Sequence, residues 1–169
     1  MIMNLSKIVI GFLLFFIFAT TLQAQDSQQI YDITRIVDGD TIQVMKGSSE
    51  AMRVRLAGID APERDQRFGR QARLHLEKLI KDKSVALDIL YKDHFGRSVA
   101  IVLLKQRDIN LRMISDGFAW AFRKYLRDLP PGKGSIYLRE EKIAKHQKLG
   151  LWSLNEPISP WQFRRKKRE

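Results

Sequence analysis

The chain has 169 residues, no cysteine and a formal net charge of +11, because 30 lysines and arginines outnumber 19 acidic residues. This length fits one domain with a substantial core, and the charge indicates a polyanionic partner, either nucleic acid or an anionic membrane. The lack of cysteine excludes disulfides, thiolate catalysis and iron–sulfur clusters, and the three widely separated histidines fit no zinc site.

Residues 1–24 have the layout of a secretory signal peptide. Lys7 supplies the positive charge, residues 8–19 form an uncharged apolar run, and the segment ends on the small residue Ala24. The run is shorter than the about 20 residues that span a bilayer comfortably. We therefore predict an exported protein, periplasmic or extracellular. The alternative is an uncleaved N-terminal anchor that holds the domain outside a membrane, and membrane contact is expected only in that case.

Five strands are predicted, in two groups that a helix separates. The first group spans residues 31–37, 41–45 and 51–57, and the second spans 85–90 and 97–104. The third strand alternates clearly: Met52, Val54 and Leu56 share one face. Arg53 and Arg55 point the other way, so Arg55 is expected to reach a groove or solvent.

About three helices are predicted, at residues 68–81, at 111–116 with Asn110 as cap, and from Ser135 to about Leu149 with Gly150 as stop. This order predicts a mainly β protein with helices (α+β), a five-stranded barrel of the OB type. The predicted organisation is a signal segment at 1–24, a barrel domain at 25–154 and a basic C-terminal tail at 155–169. The tail either adds nonspecific phosphate contacts or is a solvated terminus.

Three acidic residues occur next to the predicted strands in turn-rich contexts. Asp40 follows an Asp-Gly turn, and Asp60 and Glu63 flank Pro62, which stiffens their loop. Two carboxylates with loop carbonyls and water suit Ca²⁺ or Mg²⁺, and the small number of acids suits one cation. Glu63 is then a candidate general base or water-orienting residue.

Arg55 and Arg97 are candidate phosphate ligands, because a guanidinium can contact two phosphate oxygens at once. Each motif alone also has an ordinary structural interpretation, as a solvated turn, an acidic approach to a helix or a hairpin. The residues by themselves therefore predict a phosphate-directed protein. They leave metal dependence open, and they do not establish that the segments meet in space.

An ordered set of short segments extends through residues 31–152. The segments are Val37-Asp38-Gly39-Asp40-Thr41, Val54-Arg55-Leu56, Ile59-Asp60-Ala61-Pro62-Glu63, residues 69–72, Phe95-Gly96-Arg97, Asn110-Leu111, Asp116-Gly117-Phe118-Ala119 and Gly150-Leu151-Trp152. Together they resemble the staphylococcal nuclease (thermonuclease) family. The resemblance implies an OB-fold barrel with one Ca²⁺ ion that cleaves DNA and RNA and leaves 3′-phosphates.

The resemblance also implies a metal site. Asp40 and Asp60 match the calcium carboxylates of the family. Ala61 falls where the family has a threonine whose backbone carbonyl is a ligand. A carbonyl survives this change, so cation binding is compatible with Ala61, although a hydroxyl is missing.

The same resemblance implies roles in catalysis and substrate binding. Glu63 matches the base or water-orienting glutamate, and Arg55 and Arg97 match the two phosphate-binding arginines. In the substrate groove, Phe95 stands where the best-known member of the family has a tyrosine, which removes a phenolic hydrogen bond and keeps a ring for stacking.

Two further groove positions lie near residue 124. Arg123 aligns with another tyrosine of the groove, and Tyr125 aligns with a second nearby tyrosine. Both are therefore candidate substrate-binding residues. Where the groove residues of this chain differ from the tyrosines of the family, we expect base preference to change.

The leading hypothesis is a monomeric Ca²⁺-dependent nuclease with DNA and RNA as substrates and no obligate protein partner. The alternative is a noncatalytic OB-fold module that binds nucleic acid. A pure binder has no need for Asp40, Asp60 and Glu63, since carboxylates repel phosphate unless a cation is bound. The three acids therefore favour the enzyme.

Overall fold

The computed structural model describes residues 29–169, so the predicted signal segment lies outside the described residues. The strands of this part, β1 to β8 in chain order, are Ile30–Ile36, Thr41–Met45, Met52–Leu56, Ile59–Asp60, Ser84–Lys92, Ser98–Leu104, Arg107–Asp108 and Trp120–Ala121. The α-helices, α1 to α4, are Gly69–Ile80, Ile109–Ser115, Lys133–His146 and Pro160–Lys166. Two 3₁₀ helices cover Arg123–Asp128 and Gly150–Ser153. Across residues 29–169, no helix combines the length and apolar character that crossing a bilayer needs.

Five of these strands close a barrel. The neighbours β3, β2, β1, β5 and β6 pair antiparallel in that order. The barrel closes because β6 also pairs with β3 in parallel, with Val54 opposite Ser98 and Leu56 opposite Ala100. The five-stranded barrel predicted from the sequence is therefore confirmed.

The barrel interior follows the predicted alternation of β3. Val54 and Leu56 are buried, whereas Arg53 is exposed and Arg55 is half-buried. Helix α1 packs an apolar stripe of Ala72, Leu76 and Ile80 into the same core. The alternation that fills the core is thus also what directs Arg55 away from it.

The first correction concerns Asn110, which was predicted to cap a helix. Helix α2 begins at Ile109, and its N-cap is Asp108. The Asn110 side chain is fully buried and donates to the carbonyls of Ala57 and Ala100, at 3.0 Å each. Its amide is used to join the helix to the barrel, where these two carbonyls need donors.

The second correction concerns the long helix that was predicted to begin at Ser135 and to end near Leu149. Helix α3 begins at Lys133, because the chain turns at Gly132, whose φ of 80° favours glycine. It ends at His146, and Gly150 opens a 3₁₀ helix instead of stopping α3.

Within residues 29–169, the structure contains one α-helix beyond the three that were predicted. Helix α4 lies in the segment expected to be a basic tail, and Ser159 and Gln162 form a capping box at its start. The tail is therefore partly helical, and its position bears on the candidate site.

Candidate active site

Asp40, Arg55 and Asp60 form one contiguous group, here called the acidic cluster. Strands β2 and β3 pair with Thr41 opposite Arg55, which sets Asp40 beside Arg55. Nη2 of Arg55 lies 3.0 Å from Oδ2 of Asp40 and 3.0 Å from Oδ1 of Asp60. Its Nη1 donates to the carbonyl of Leu56 at 3.0 Å. One guanidinium therefore bridges two carboxylates and is itself fixed by the backbone.

Both carboxylates of the cluster are almost completely buried. Oδ2 of Asp40 also accepts the backbone N–H of Ala61 at 2.6 Å. Burial raises the pKa of Asp40 well above its usual value; Arg55 opposes this effect, and the charges of Asp38 and Asp60 add to it. Two buried carboxylates bridged by one guanidinium, with the pKa of one of them raised, form an arrangement typical of functional sites.

Glu63 lies in the loop between β4 and α1, and Gln66 orders this loop. The backbone N–H of Glu63 donates to Oε1 of Gln66 at 3.1 Å, and the N–H of Gln66 donates back to the carbonyl of Glu63 at 2.9 Å. Helix α1 begins against the same carbonyl, since a Cβ at Gly69 would lie 1.7 Å from it. The loop therefore holds Glu63 in one place while its side chain stays partly exposed.

Helix α4 adds an arginine that the sequence analysis did not assign to the site. Nη1 of Arg164 lies 2.6 Å from Oε1 of Glu63, and Nη2 lies 2.8 Å from Oδ2 of Asp60. Burial alone would lower the pKa of Arg164, but the hydrogen bonds and charges of Asp60 and Glu63 raise it above its usual value. The available sequence signal was the capping pattern Ser159-Pro160-Trp161-Gln162, which indicates a helix start within the tail.

Arg97 and Phe95 form a second group, on the hairpin between β5 and β6. Nε and Nη2 of Arg97 each lie 2.8 Å from Oδ2 of Asp93, a partner that the sequence analysis missed. Phe95 is 69% exposed, and the Arg97 guanidinium lies 5.3 Å from its ring centroid. The structure thus pairs Arg97 with Asp93, whereas Arg55 pairs with the acidic cluster.

Arg123 has an internal partner. Its guanidinium donates to Oε2 of the buried Glu141 at 2.7 Å and to the carbonyl of Ala121 at 3.2 Å. Burial raises the pKa of Glu141, but hydrogen bonds from Arg123 and Lys145 outweigh burial and lower it. Arg123 therefore ties the chain after β8 to α3, and just over half of its side chain remains exposed.

Tyr125 lies in the first 3₁₀ helix, beside a cation and another ring. Its ring packs edge-on against Phe122 with centroids 5.0 Å apart, and Nζ of Lys124 lies 5.4 Å from its centroid. A partly exposed ring next to a cation suits stacking on a base with a nearby phosphate contact.

The oxygen donors of the acidic cluster fit a hard divalent cation. Asp40 and Asp60 supply carboxylate oxygens, which Ca²⁺ and Mg²⁺ prefer, and the backbone of Ala61 lies against Asp40. Over residues 29–169, no group of three acidic, cysteine or histidine side chains is arranged to hold a metal. Two carboxylates would therefore need a backbone oxygen and water to complete the coordination of one ion.

A closed five-stranded barrel with flanking helices defines this protein as an OB-fold protein, and the barrel carries a buried acid–arginine group. Residues 53–154 match the family described as "Staphylococcal nuclease homologue". The chain therefore belongs to the staphylococcal nuclease homologue family, as the sequence resemblance predicted.

Relatives cover most of the chain. An uncharacterized endonuclease of Haemophilus influenzae is 38% identical over 136 residues, which are 80% of this chain and 73% of that protein. A micrococcal nuclease of Shigella flexneri is 38% identical over 143 residues, with 79% of each protein covered. Protein ParB of Escherichia coli is 36% identical over 143 residues, with 79% of this chain and 78% of that protein covered.

Proposed function

We propose that this protein is a Ca²⁺-dependent nuclease that hydrolyses phosphodiester bonds of DNA and RNA and leaves 3′-phosphates. The observation that carries the proposal is the contact of one guanidinium with two buried carboxylates, at 3.0 Å each, in a chain of net charge +11. Relatives described as an endonuclease and a micrococcal nuclease support nuclease activity. Retention of these acids in a basic protein favours catalysis over simple binding, because unneutralised carboxylates repel phosphate.

Glu63 is proposed to accept the proton of the attacking water. Its carboxylate is partly exposed, and its loop is held by Gln66 and by the start of α1. Attack of the water oxygen on phosphorus forms one P–O bond, and the P–O5′ bond breaks. The products are a 3′-phosphate and a 5′-hydroxyl, whose oxygen takes up a proton from solvent water, and Glu63 then returns its proton to solvent. A positioned carboxylate of this kind contributes roughly 10²- to 10⁴-fold to the rate.

Arg55 and Arg97 are proposed to stabilise the negative charge that develops on the phosphate. Arg55 is preorganised by Asp40, Asp60 and the backbone, so little reorganisation is needed when the charge grows. Arg97 is held by Asp93 on the neighbouring hairpin, where Phe95 offers an exposed ring to a base.

Asp40, Asp60 and the carbonyl of Ala61 are the groups proposed to hold one Ca²⁺ ion. When bound, such an ion neutralises phosphate charge and orients water. Arg55 would then keep the two carboxylates in place, since its Nη2 already bridges them. Burial and then the charges of Asp38 and Asp60 raise the pKa of Asp40, against the effect of Arg55, and a cation bound at this carboxylate would favour its ionised form.

The test is an assay of the purified protein on single-stranded DNA and on RNA, with Ca²⁺ and with a chelator. Both substrates should be degraded with Ca²⁺ and should stay intact with the chelator. The 3′ ends of the products should resist polymerase extension until a phosphatase is added. Intact substrate with Ca²⁺, together with retained binding, would instead identify a noncatalytic binding module.

We also propose that the protein is exported. The basis is the charge, the apolar run and the small final residue of residues 1–24. N-terminal sequencing of the protein from the periplasm or medium should begin at Gln25. Recovery from the membrane fraction with an intact N-terminus would instead support the anchor.

A further inference from the structure

One guanidinium from the end of the chain lies on the carboxylates that the proposed nuclease would use. Arg164 contacts Oδ2 of Asp60 at 2.8 Å through Nη2, and Oδ1 of Asp60 at 3.2 Å and Oε1 of Glu63 at 2.6 Å through Nη1. Oδ1 of Asp60 is shared with Arg55. Arg164 therefore engages both oxygens of Asp60, and a cation bound by Asp60 would need the same oxygens.

The segment before α4 is attached to the loop that carries Glu63. Ser159 and Gln162 form the capping box that starts the helix. Nε2 of Gln66 donates to the carbonyl of Ile158 at 2.7 Å, while Oε1 of the same glutamine accepts the N–H of Glu63. One glutamine thus links the Glu63 loop to the segment that delivers the arginine.

Aromatic contacts hold the helix itself. Trp161 stacks on Phe122, with ring centroids 5.5 Å apart and an interplanar angle of 3°. It also meets Trp120 edge-on at 5.5 Å. Beyond the last residue of α4, Lys167 forms an ion pair with Asp65. Helix α4 is therefore docked through contacts at both of its ends.

These contacts are compatible with reversible docking. Pro160 is the buried residue of α4, and the side chains of Arg164 and Lys167 are 39% and 66% exposed. A helix of seven residues is not stable by itself. The ion pair of Lys167 with Asp65 is exposed on both sides, so it is weak and is screened by salt.

We propose that α4 is a displaceable internal inhibitor: Arg164 covers Asp60 and Glu63 until a divalent cation takes the oxygens of Asp60 and releases the helix. This inference rests on the proposed function in one respect, namely that the cation binds at Asp60. The guanidinium of Arg164 carries only a single, delocalised charge, which makes it a weaker partner for the carboxylates than a divalent cation. Because Arg164 is tethered to the same chain, however, its effective concentration at the site is high. The apparent affinity for the cation then equals the intrinsic affinity multiplied by the fraction of molecules in which α4 is undocked.

The experiment is a calorimetric titration of the purified protein with Ca²⁺ alone, without nucleic acid. Arg164→Gln removes the competing guanidinium, and Trp161→Ala weakens docking while keeping every charge. Arg165→Gln is the matched control, since this neighbour is exposed. If docked molecules outnumber open ones roughly ten to one, Arg164→Gln should bind Ca²⁺ about tenfold more tightly than wild type, and Trp161→Ala should bind it more tightly by a smaller factor. Arg165→Gln should bind like wild type.

A second readout follows the segment directly. Trypsin cleaves after lysine and arginine, and residues 164–168 offer five such sites. Ca²⁺ should accelerate cleavage of this segment in the wild type, because cleavage follows the open population. In Arg164→Gln, the segment should be cleaved quickly with or without Ca²⁺.

Three results would overturn the inhibitor. One is equal or weaker Ca²⁺ binding by Arg164→Gln. Another is tighter binding by Arg164→Gln without any change in Trp161→Ala, which would be a simple charge effect. The third is trypsin cleavage that Ca²⁺ does not alter.

These results are separable from the proposed function. Failure of every variant to bind Ca²⁺ would overturn both the calcium site and its displacement of Arg164. Normal nuclease activity with equal Ca²⁺ affinities would overturn the inhibitor alone. Tighter binding by both variants in a protein that cuts no nucleic acid would overturn the nuclease and support the inhibitor.

Discussion

Nη2 of Arg55 lies 3.0 Å from Oδ1 of Asp60, five positions later in the chain and on another strand. The same atom lies 3.0 Å from Asp40. One guanidinium therefore bridges two buried acids, although Asp60 also contacts Arg164. Because Arg55 contacts both acids at once, the cluster is sensitive to the shape of this side chain as well as to its charge.

Arg55→Lys is expected to reduce nuclease turnover by roughly 10²-fold or more, because a single ammonium cannot reproduce the planar fork that serves two carboxylates and a carbonyl. Arg53→Lys is the matched control, because Arg53 lies on the same face of β3 and is exposed. Initial rates of DNA cleavage at saturating substrate measure both. Wild-type rates in Arg55→Lys would contradict the proposed role of the fork.

Glu63→Gln is expected to keep nucleic-acid binding and to lower kcat by roughly 10²- to 10⁴-fold, because the amide cannot accept the proton of the attacking water. Glu50→Gln, at an exposed position in the loop after β2, is the control. Binding by fluorescence anisotropy and turnover should be measured on the same oligonucleotide. Unchanged turnover would remove Glu63 from the mechanism.

Gly69→Ala is expected to destabilise the fold by about 1–3 kcal/mol, because the new Cβ would collide with the carbonyl of Glu63. Turnover should also fall, since relief of the collision moves the Glu63 loop. Gln71→Ala adds alanine at an exposed position of the same helix and should leave both properties near wild type. Urea unfolding and cleavage rates test the pair, and a fully active Gly69→Ala would show that the loop tolerates the shift.

The stability of the folded protein should fall at acid pH, because Glu141 becomes protonated and loses its favourable contacts. Its pKa in the folded protein is lowered from 4.5, so the unfolded chain binds the proton more readily. The ionised carboxylate therefore contributes fully above about pH 4.5, and its contribution is lost as the pH falls through the folded-state pKa. Melting temperatures between pH 7 and pH 3 should show this loss.

Glu141→Gln is expected to lose about 1–3 kcal/mol of stability at pH 7, because Arg123 and Lys145 lose their charged acceptor. Its melting temperature should also vary less with acid pH than that of the wild type. Glu140→Gln, whose partner Arg139 is mostly exposed, is the control. Equal acid sensitivity in Glu141→Gln and wild type would place the acid-labile group elsewhere.

Local patterns in the sequence predicted much of the fold. The alternation of Val54 and Leu56 with Arg55 gave both the buried face of β3 and the outward direction of the arginine, because strand periodicity is a local property. The helix stripe through Ala72 and Leu76 was predictable for the same reason.

Side chains with long-range partners were not predictable in this way. Asn110 carries a strong local signal for capping, yet its amide serves two carbonyls of other segments. The alignment assigned Arg123 to the substrate groove but did not indicate its ion pair with Glu141, which lies 18 positions away on α3. A local motif does not specify which distant donors and acceptors will need partners once the barrel closes.

The sequence alone determined the class of barrel, the order of its motifs and the residue types that suit phosphate chemistry, because these depend on periodicity, turn residues and charge. Tertiary structure decided which of these residues meet. It joined Asp40, Arg55 and Asp60, set Arg97 on Asp93, and brought Arg164 onto Glu63 across 101 positions. That last contact depends on where α4 docks, and docking is the sum of stacking, capping and charge contacts that no single stretch of sequence contains.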